Sequence, residues 1–175
     1  KTRLQLERLY RLNRGALAEM RSLLLELRPA RLVETTLDEL LEQLANAIMG
    51  RKDIMIDVTA SPGCILPPDI QIAYYRIAQE VLNNIVKHSE ASEVDLNFNW
   101  DGKHCELVIR DNGRGFDPAA IISGDSGIGF MRERAKTIGA DLNIASNNSG
   151  TVVTLDGARP DQAGPVEGFR PSRCA

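Results

Sequence analysis

The chain is 175 residues long, with 43% apolar and 26% charged residues and a formal net charge of −3. These are the proportions of a soluble globular protein with room for one well-cored domain plus an appended helix or tail. Its apolar runs fall far short of the roughly 20 residues that span a bilayer, the opening KTRLQLERLY does not read as a signal peptide, and an acidic chain with one Trp has no overall basic footprint for nucleic acid.

The expectation is therefore a cytoplasmic segment with no nucleic-acid partner and no direct membrane contact, an anchor elsewhere in a longer parent being left open. Cys64, Cys105 and Cys174 are scattered, without a C-x-x-C or a nearby histidine pair, so reduced thiols are expected rather than a disulfide framework or a zinc site.

Residues 1 to 28 lack proline and carry Leu9, Leu12, Ala16, Met20, Leu23 and Leu27 at three-four spacing, which predicts a long helix ended by Pro29. Its arginines alternate with Glu7, Glu19 and Glu26, the pattern of a solvated face. A stripe this long, ahead of a complete domain, favours meeting partner helices over packing on its own domain. Thr35 or Thr36 caps a second expected helix through Met49, with Asp38 and Glu39 in its first turn, Gly50 at its end, and Leu37, Leu40, Leu41, Leu44 and Ile48 as its buried stripe. Ile54, Ile56 and Val58 alternate with polar neighbours as a half-buried strand, and Pro67 or Pro68 suits the start of the next helix.

That helix contains YYRIAQEVLNNIVKHS, residues 74 to 89. Wound at about 100° per residue, it gathers Arg76, Glu80, Asn83, Asn84 and Lys87 in one sector and sets Ala78, Val81, Leu82 and Ile85 opposite. Val94, Leu96, Phe98 and Trp100 then alternate along a strand, Asp101-Gly102 signals a hairpin, and Leu107 and Ile109 continue on the partner strand. This strand delivers Asp111 into DNGRGF, residues 111 to 116. After a short connection at 117 to 126, GIGF opens a helix running from Gly127 to Ile138 with Gly139 at its end. Leu142–Ala145 and Thr151–Leu155 form a closing hairpin around NNSG, and the Gly- and Pro-rich residues from 157 onward read as a tail. The fold class expected is α/β: a two-layer α/β sandwich with a mixed sheet of about five strands and three helices, preceded by a long dimerisation-type helix.

Glycine lets a backbone approach a ligand closely, so two Gly-x-Gly loops around an acidic residue suggest a nucleotide bed. E-x-x-x-N-x-x-K, D-x-G-x-G and G-x-G occur here in that order. The three boxes resemble those of the ATP-binding domain shared by sensor histidine kinases, Hsp90-type chaperones, gyrase and mismatch-repair ATPases. QEVLNNIVKHSEAS, RDNGRGF and GIGFMRERAKTIGADLNIAS are most similar to two-component sensor histidine kinases of the nitrate-sensor type, from about Arg11 to Leu155.

The resemblance implies ATP and Mg²⁺ as cofactors, with Asn84 as the metal ligand and Glu80 acting through water near the metal or the transferring phosphate. It makes Asp111 the adenine-reading carboxylate, with Gly113 and Gly115 shaping the base pocket. Gly127 and Gly129 would lie on the phosphate side and Thr151 near adenine. The family often shows P-G-x-G-T where this chain has Asn147-Asn148-Ser149-Gly150-Thr151. From the residues themselves, Lys87 is a candidate to reach phosphates. His88, beside that face, either assists or is a helix-end histidine.

GALAEMRSLLLELRP resembles the second helix of the kinase dimerisation hairpin, giving three expected parts: residues 1 to 30 a partial dimerisation helix, 31 to 156 the ATP-binding domain and 157 to 175 the tail. The function implied is transfer of the ATP γ-phosphate to a histidine absent from this segment, with a response regulator as partner and a homodimeric parent. A regulatory nucleotide-binding module, or a serine kinase or ATPase of the same superfold, are the other readings. Intact Glu80, Asn84 and Asp111 weigh against the first of these, and the ELRP helix against the second.

Overall fold

The computed structural model describes residues 29–50, 52–64, 66–117 and 127–157. The long N-terminal stripe, most of the 117 to 126 connection, and the tail beyond Gly157 lie outside the described residues. In chain order, α1 (Pro29–Glu34) leads into α2 (Leu37–Met49), β1 (Met55–Ala60) and α3 (Pro68–Asn84), which continues as a π-helical turn at Ile85–Ser89. Then come the hairpin of β2 (Glu93–Trp100) and β3 (Cys105–Asp111), α4 (Gly127–Thr137), and the hairpin of β4 (Asp141–Asn147) and β5 (Gly150–Asp156).

The strands form one sheet in the order β1-β2-β3-β5-β4. Strand β1 runs parallel to β2, with α3 in the crossover between them, and the other pairs are antiparallel hairpin or neighbour pairings. This is the expected two-layer α/β sandwich with a mixed five-stranded sheet. Burial alternates along β2, with Val94, Leu96 and Phe98 inside and Glu93, Asp95 and Asn97 outside, so one sheet face meets the helices and the other meets solvent.

The core forms where the helical stripes meet that face. Leu37, Leu40, Leu41, Leu44 and Ile48 of α2 are all buried, as are Ala78, Val81 and Leu82 of α3 and Ile85 of the π turn; each large side chain so buried contributes about 1.5–3 kcal/mol. Tyr74 is fully buried, edge-on to Phe98 with ring centroids 6.2 Å apart, and its hydroxyl donates to the Cys105 carbonyl at 3.0 Å. Cys64 and Cys105 are buried and unbridged. Burial pushes the Cys105 thiol up to about 12, which keeps it protonated and inert.

Local chemistry departs from the sequence reading at three places. Thr36 does take the N-cap position of α2, but its hydroxyl makes no capping bond, and Asp38 and Glu39 in the first turn are left to complement the helix dipole. Gly50 ends α2 with an ordinary right-handed φ of −71°, so the position does not demand glycine. The third helix does not run regularly to His88: it widens into the π turn, where the Ser89 hydroxyl bonds back to the Ile85 carbonyl at 2.9 Å, and stops at Glu90, whose φ is +57°.

One buried polar residue ties α1 to α3. The Gln71 amide group donates to the Leu32 carbonyl and, at 2.6 Å, to that of Thr35, while its oxygen accepts the Leu66 N–H at 3.2 Å. Every polar atom of this side chain thus serves a backbone group that packing removes from water. Gln71→Leu keeps the volume and strands all three, so urea unfolding is expected to show a loss of about 1–3 kcal/mol or more. A variant as stable as the wild type would contradict this account.

Candidate functional site

The inward-facing residues of β3, β5 and β4 lie in register as rows across the sheet. Leu107, Leu155 and Leu142 form one row and Ile109, Val153 and Ile144 the next. One step further the same alternation places Asp111, Thr151 and Ser146 side by side, so the apolar core gives way to a polar rim at one end of the sheet. Asp111 is only 4% exposed and Thr151 8%. Burial pushes the Asp111 carboxyl above its usual range, opposed by hydrogen bonds from the Gly113 N–H, at 2.8 Å, and from the hydroxyl and N–H of Thr151. An ionised carboxylate has about four acceptor positions, and these donors leave capacity for a further donor from a ligand.

This rim borders a cavity of about 340 Å³, the size of a small-molecule site. Its helical wall is Val81, Asn84, Ile85, His88 and Ser89; α4 adds Gly127, Ile128 and Met131, and the first glycine loop adds Arg114, Gly115 and Phe116. The loop is fastened to the π turn twice, by the Arg114 N–H to the Ser89 carbonyl at 2.8 Å and by the Arg114 guanidinium to the His88 carbonyl at 2.9 Å. The Arg114–Glu90 ion pair at 3.2 Å is well exposed and adds little. Gly115 has a φ of +62°, and a Cβ there would run into the Asn147 carbonyl, so the loop closes against the β4–β5 turn only with glycine.

The residues singled out from the sequence do not all meet. Asn84, His88, Asp111, Gly115, Gly127 and Thr151 line the cavity. Gly113 stands one layer behind, against the Ser89 carbonyl and the Asp111 side chain. Glu80 also stands outside the lining, its carboxylate set so close to Gly127 that a Cβ would overlap it. Gly129 lies in the first turn of α4 outside the lining, and Lys87 is exposed and outside it too. Among the described residues no group of three or more His, Cys, Asp or Glu could hold a metal ion.

Sequence reasoning missed Ser89, Ser146, Asn112 and Arg114. Asn112 accepts the Ser92 and Glu93 N–H groups at 3.0 and 3.1 Å, fixing the loop's entry. Ser146 had a signal, since it is the next inward position after Leu142 and Ile144.

A family model described as histidine kinase-, DNA gyrase B- and HSP90-like ATPase matches residues 69–159. A Brevibacillus brevis protein named signal transduction histidine-protein kinase/phosphatase DegS is 30% identical over 149 residues, which cover 84% of this chain and 39% of that one. The sensor histidine kinase MctS of Rhizobium johnstonii is 35% identical over 144 residues, covering 80% of this chain and 31% of the relative. The chain thus spans between about three and four tenths of these relatives. A solved blue-light activated histidine kinase from Erythrobacter litoralis EL346 aligns with a TM-score of 0.66 at 23% identity, covering 91% of this chain and 60% of that one, which establishes likeness of fold.

The raised Asp111 pKa fixes a sign for stability. A carboxyl that holds its proton more tightly when folded adds stability below its unfolded pKa, near 3.8, and that contribution is lost as pH rises through the folded value. Ionised Asp111 is therefore a cost to folding at neutral pH. Asp111→Asn has no such titration, so its stability relative to the wild type is expected to rise as pH goes from about 4 to 7, whatever the cost of turning its NH2 toward the donors around it. Urea unfolding at the two pH values checks this, and a difference that stays constant or falls with pH refutes it.

Proposed function

The chain belongs to the family of histidine kinase-, DNA gyrase B- and HSP90-like ATPases, and on that premise we propose that its cavity binds ATP with Mg²⁺ and presents the γ-phosphate to a histidine in two-component signalling. The observation that carries this reading is the buried, acceptor-only Asp111 at the rim of a cavity whose other wall is α3 and its π turn. Asp111 takes the exocyclic amine of adenine, Gly113 and Gly115 shape the base pocket, and Thr151 closes it beside the carboxylate. At the other side, the first turn of α4 begins at Gly127 and includes Gly129, and the positive end of the helix dipole there suits phosphate.

Mg²⁺ takes oxygen ligands, mostly water and phosphate with one or two from the protein, so the half-buried Asn84 amide on the cavity wall fits it without a carboxylate cluster. The ion, when bound, neutralises charge on the phosphate oxygens. Glu80, beside Gly127, orders water near the metal or the transferring phosphate. Lys87 swings in from its exposed position toward the phosphates, and His88 borders them on the cavity wall. Response-regulator phosphorylation and homodimerisation are proposed for the parent protein, on the strength of relatives named as sensor kinases.

Losing a hydrogen bond to a charged group costs about 1.5–3 kcal/mol, so calorimetry with a non-hydrolysable ATP analogue should show Asp111→Asn binding roughly ten- to a hundredfold more weakly. Asn84→Ala should leave the circular dichroism spectrum unchanged and abolish the Mg²⁺ dependence of binding. Wild-type behaviour of either variant defeats its assigned role.

Neither histidine of this chain suits the acceptor role. His88 belongs to the nucleotide wall, and His104 is held 2.6 Å from Asp156 at the far end of β3. Incubation with γ-labelled ATP and Mg²⁺ should therefore leave the chain unlabelled, and adding a separate histidine-bearing dimerisation domain should place acid-labile label on that domain. Label on this chain alone overturns the proposal.

A further inference from the structure

In the row Asp111, Thr151 and Ser146 that borders the cavity, Ser146 stands just outside the lining and has no task in the roles above. Ser146 stands opposite Thr151 in the strand register, and Thr151 stands opposite Asp111. The Ser146 hydroxyl lies 2.9 Å from the Thr151 hydroxyl. It accepts the Phe116 N–H at 2.9 Å, and the Gly150 carbonyl is farther away at 3.4 Å.

Counting protons gives these contacts a direction. Each hydroxyl has one proton to donate. Thr151 stands opposite Asp111 in the strand register, and its side chain lowers the carboxyl's hold on its proton, the effect of a hydroxyl turned toward the carboxylate; a charge-assisted bond of that kind is roughly twice as strong as a neutral one. The contact between the two hydroxyls then runs from Ser146 to Thr151. Reversing it would aim the Ser146 proton at the more distant Gly150 carbonyl and strip a donor from a buried charge.

The chain of donation is thus Phe116 to Ser146 to Thr151 to Asp111. The geometry points to Ser146 as a positioning residue for purine selection, locking the Thr151 hydroxyl onto the Asp111 carboxylate and tying that lock to Phe116 in the glycine loop. This rests on the nucleotide reading above. With Thr151 locked, the rim offers the base only acceptors, which suits the amine at position 6 of adenine and repels the carbonyl at position 6 of guanine. Without Ser146 the Thr151 oxygen loses its donor and the hydroxyl is held by the carboxylate alone, so it turns more readily to offer its proton to that carbonyl.

The test is calorimetry of non-hydrolysable ATP and GTP analogues with Mg²⁺ on the wild type, Ser146→Ala, Ser146→Cys and Ser146→Thr, with thermal melting alongside. Ser146→Ala is expected to lower ATP-analogue affinity about three- to tenfold, the worth of one hydrogen bond, while GTP-analogue affinity holds or rises. Ser146→Cys, close in volume but a weaker donor, moves the ratio the same way, and Ser146→Thr, which keeps the hydroxyl, retains the wild-type ratio. An unchanged ratio in both Ala and Cys variants overturns the inference. Equal weakening toward both nucleotides marks damage to the hairpin and overturns it likewise. A wild type with no affinity for the ATP analogue is a different failure: it removes the nucleotide reading and this inference with it.

Discussion

A carboxylate on the core side of a sheet is the constraint around which this end of the molecule is arranged. Period-two alternation along β3 sends Cys105, Leu107, Ile109 and Asp111 to one face, so Asp111 enters the interior as the continuation of an apolar row. A buried charge without partners is costly, and the surroundings supply donors from two directions. The loop turns back so that the Gly113 N–H reaches it, and β5 pairs so that Thr151 stands opposite. Had the strand carried another leucine at 111, the same rows would close as core and the cavity would lose its polar rim.

The opposite wall is set by a break in helical regularity. The last carbonyls of any helix have no partner within it. Here the helix ends in the π turn, and its His88 and Ser89 carbonyls are taken by the guanidinium and N–H of Arg114 in the glycine loop. The loop bearing Gly113 and Gly115 is thereby fixed to the helix bearing Asn84. At its other end α3 is anchored by Gln71 to the segment that enters the domain, so one continuous element links the chain's entry to the cavity wall.

Much of this was legible because it rests on period and punctuation. The α2 stripe, the β2 and β3 alternation, the Asp101-Gly102 turn with Gly102 at φ +92°, and the placing of Asp111 beside a glycine loop all follow from local rules. Gln71 was not legible: on a helical wheel it breaks an apolar face, and only the backbone groups it meets, from α1 and the loop before α3, explain its full burial. The π turn has no composition that announces it: the Ser89 hydroxyl takes the Ile85 carbonyl while Arg114 of the loop takes those of His88 and Ser89, and the last two contacts exist only once the loop is in place. Glu80, Asn84 and Lys87 share a sector on the wheel, yet only Asn84 lines the cavity, because the position of α4 across the helix, set by tertiary packing, decides which part of that sector is enclosed.

The glycines separate the two kinds of legibility. Gly102 and Gly139 have positive φ with nothing near the place a Cβ would occupy, so they answer to turn geometry alone and can be read from the string. Gly113 and Gly127 have no such φ, yet a Cβ at either would strike a neighbour. At Gly113 the requirement is spatial, since it must lie flat against the Ser89 carbonyl of the π turn, whereas at Gly127 the group met is the end of the Glu80 side chain, which can shift aside. A sequence shows that glycine is present at both kinds of position, but only the assembled walls show which glycines serve the turn and which leave room at the cavity. Residues whose small size is demanded by other elements therefore mark where those elements converge, and here they converge on the rim that Asp111 occupies.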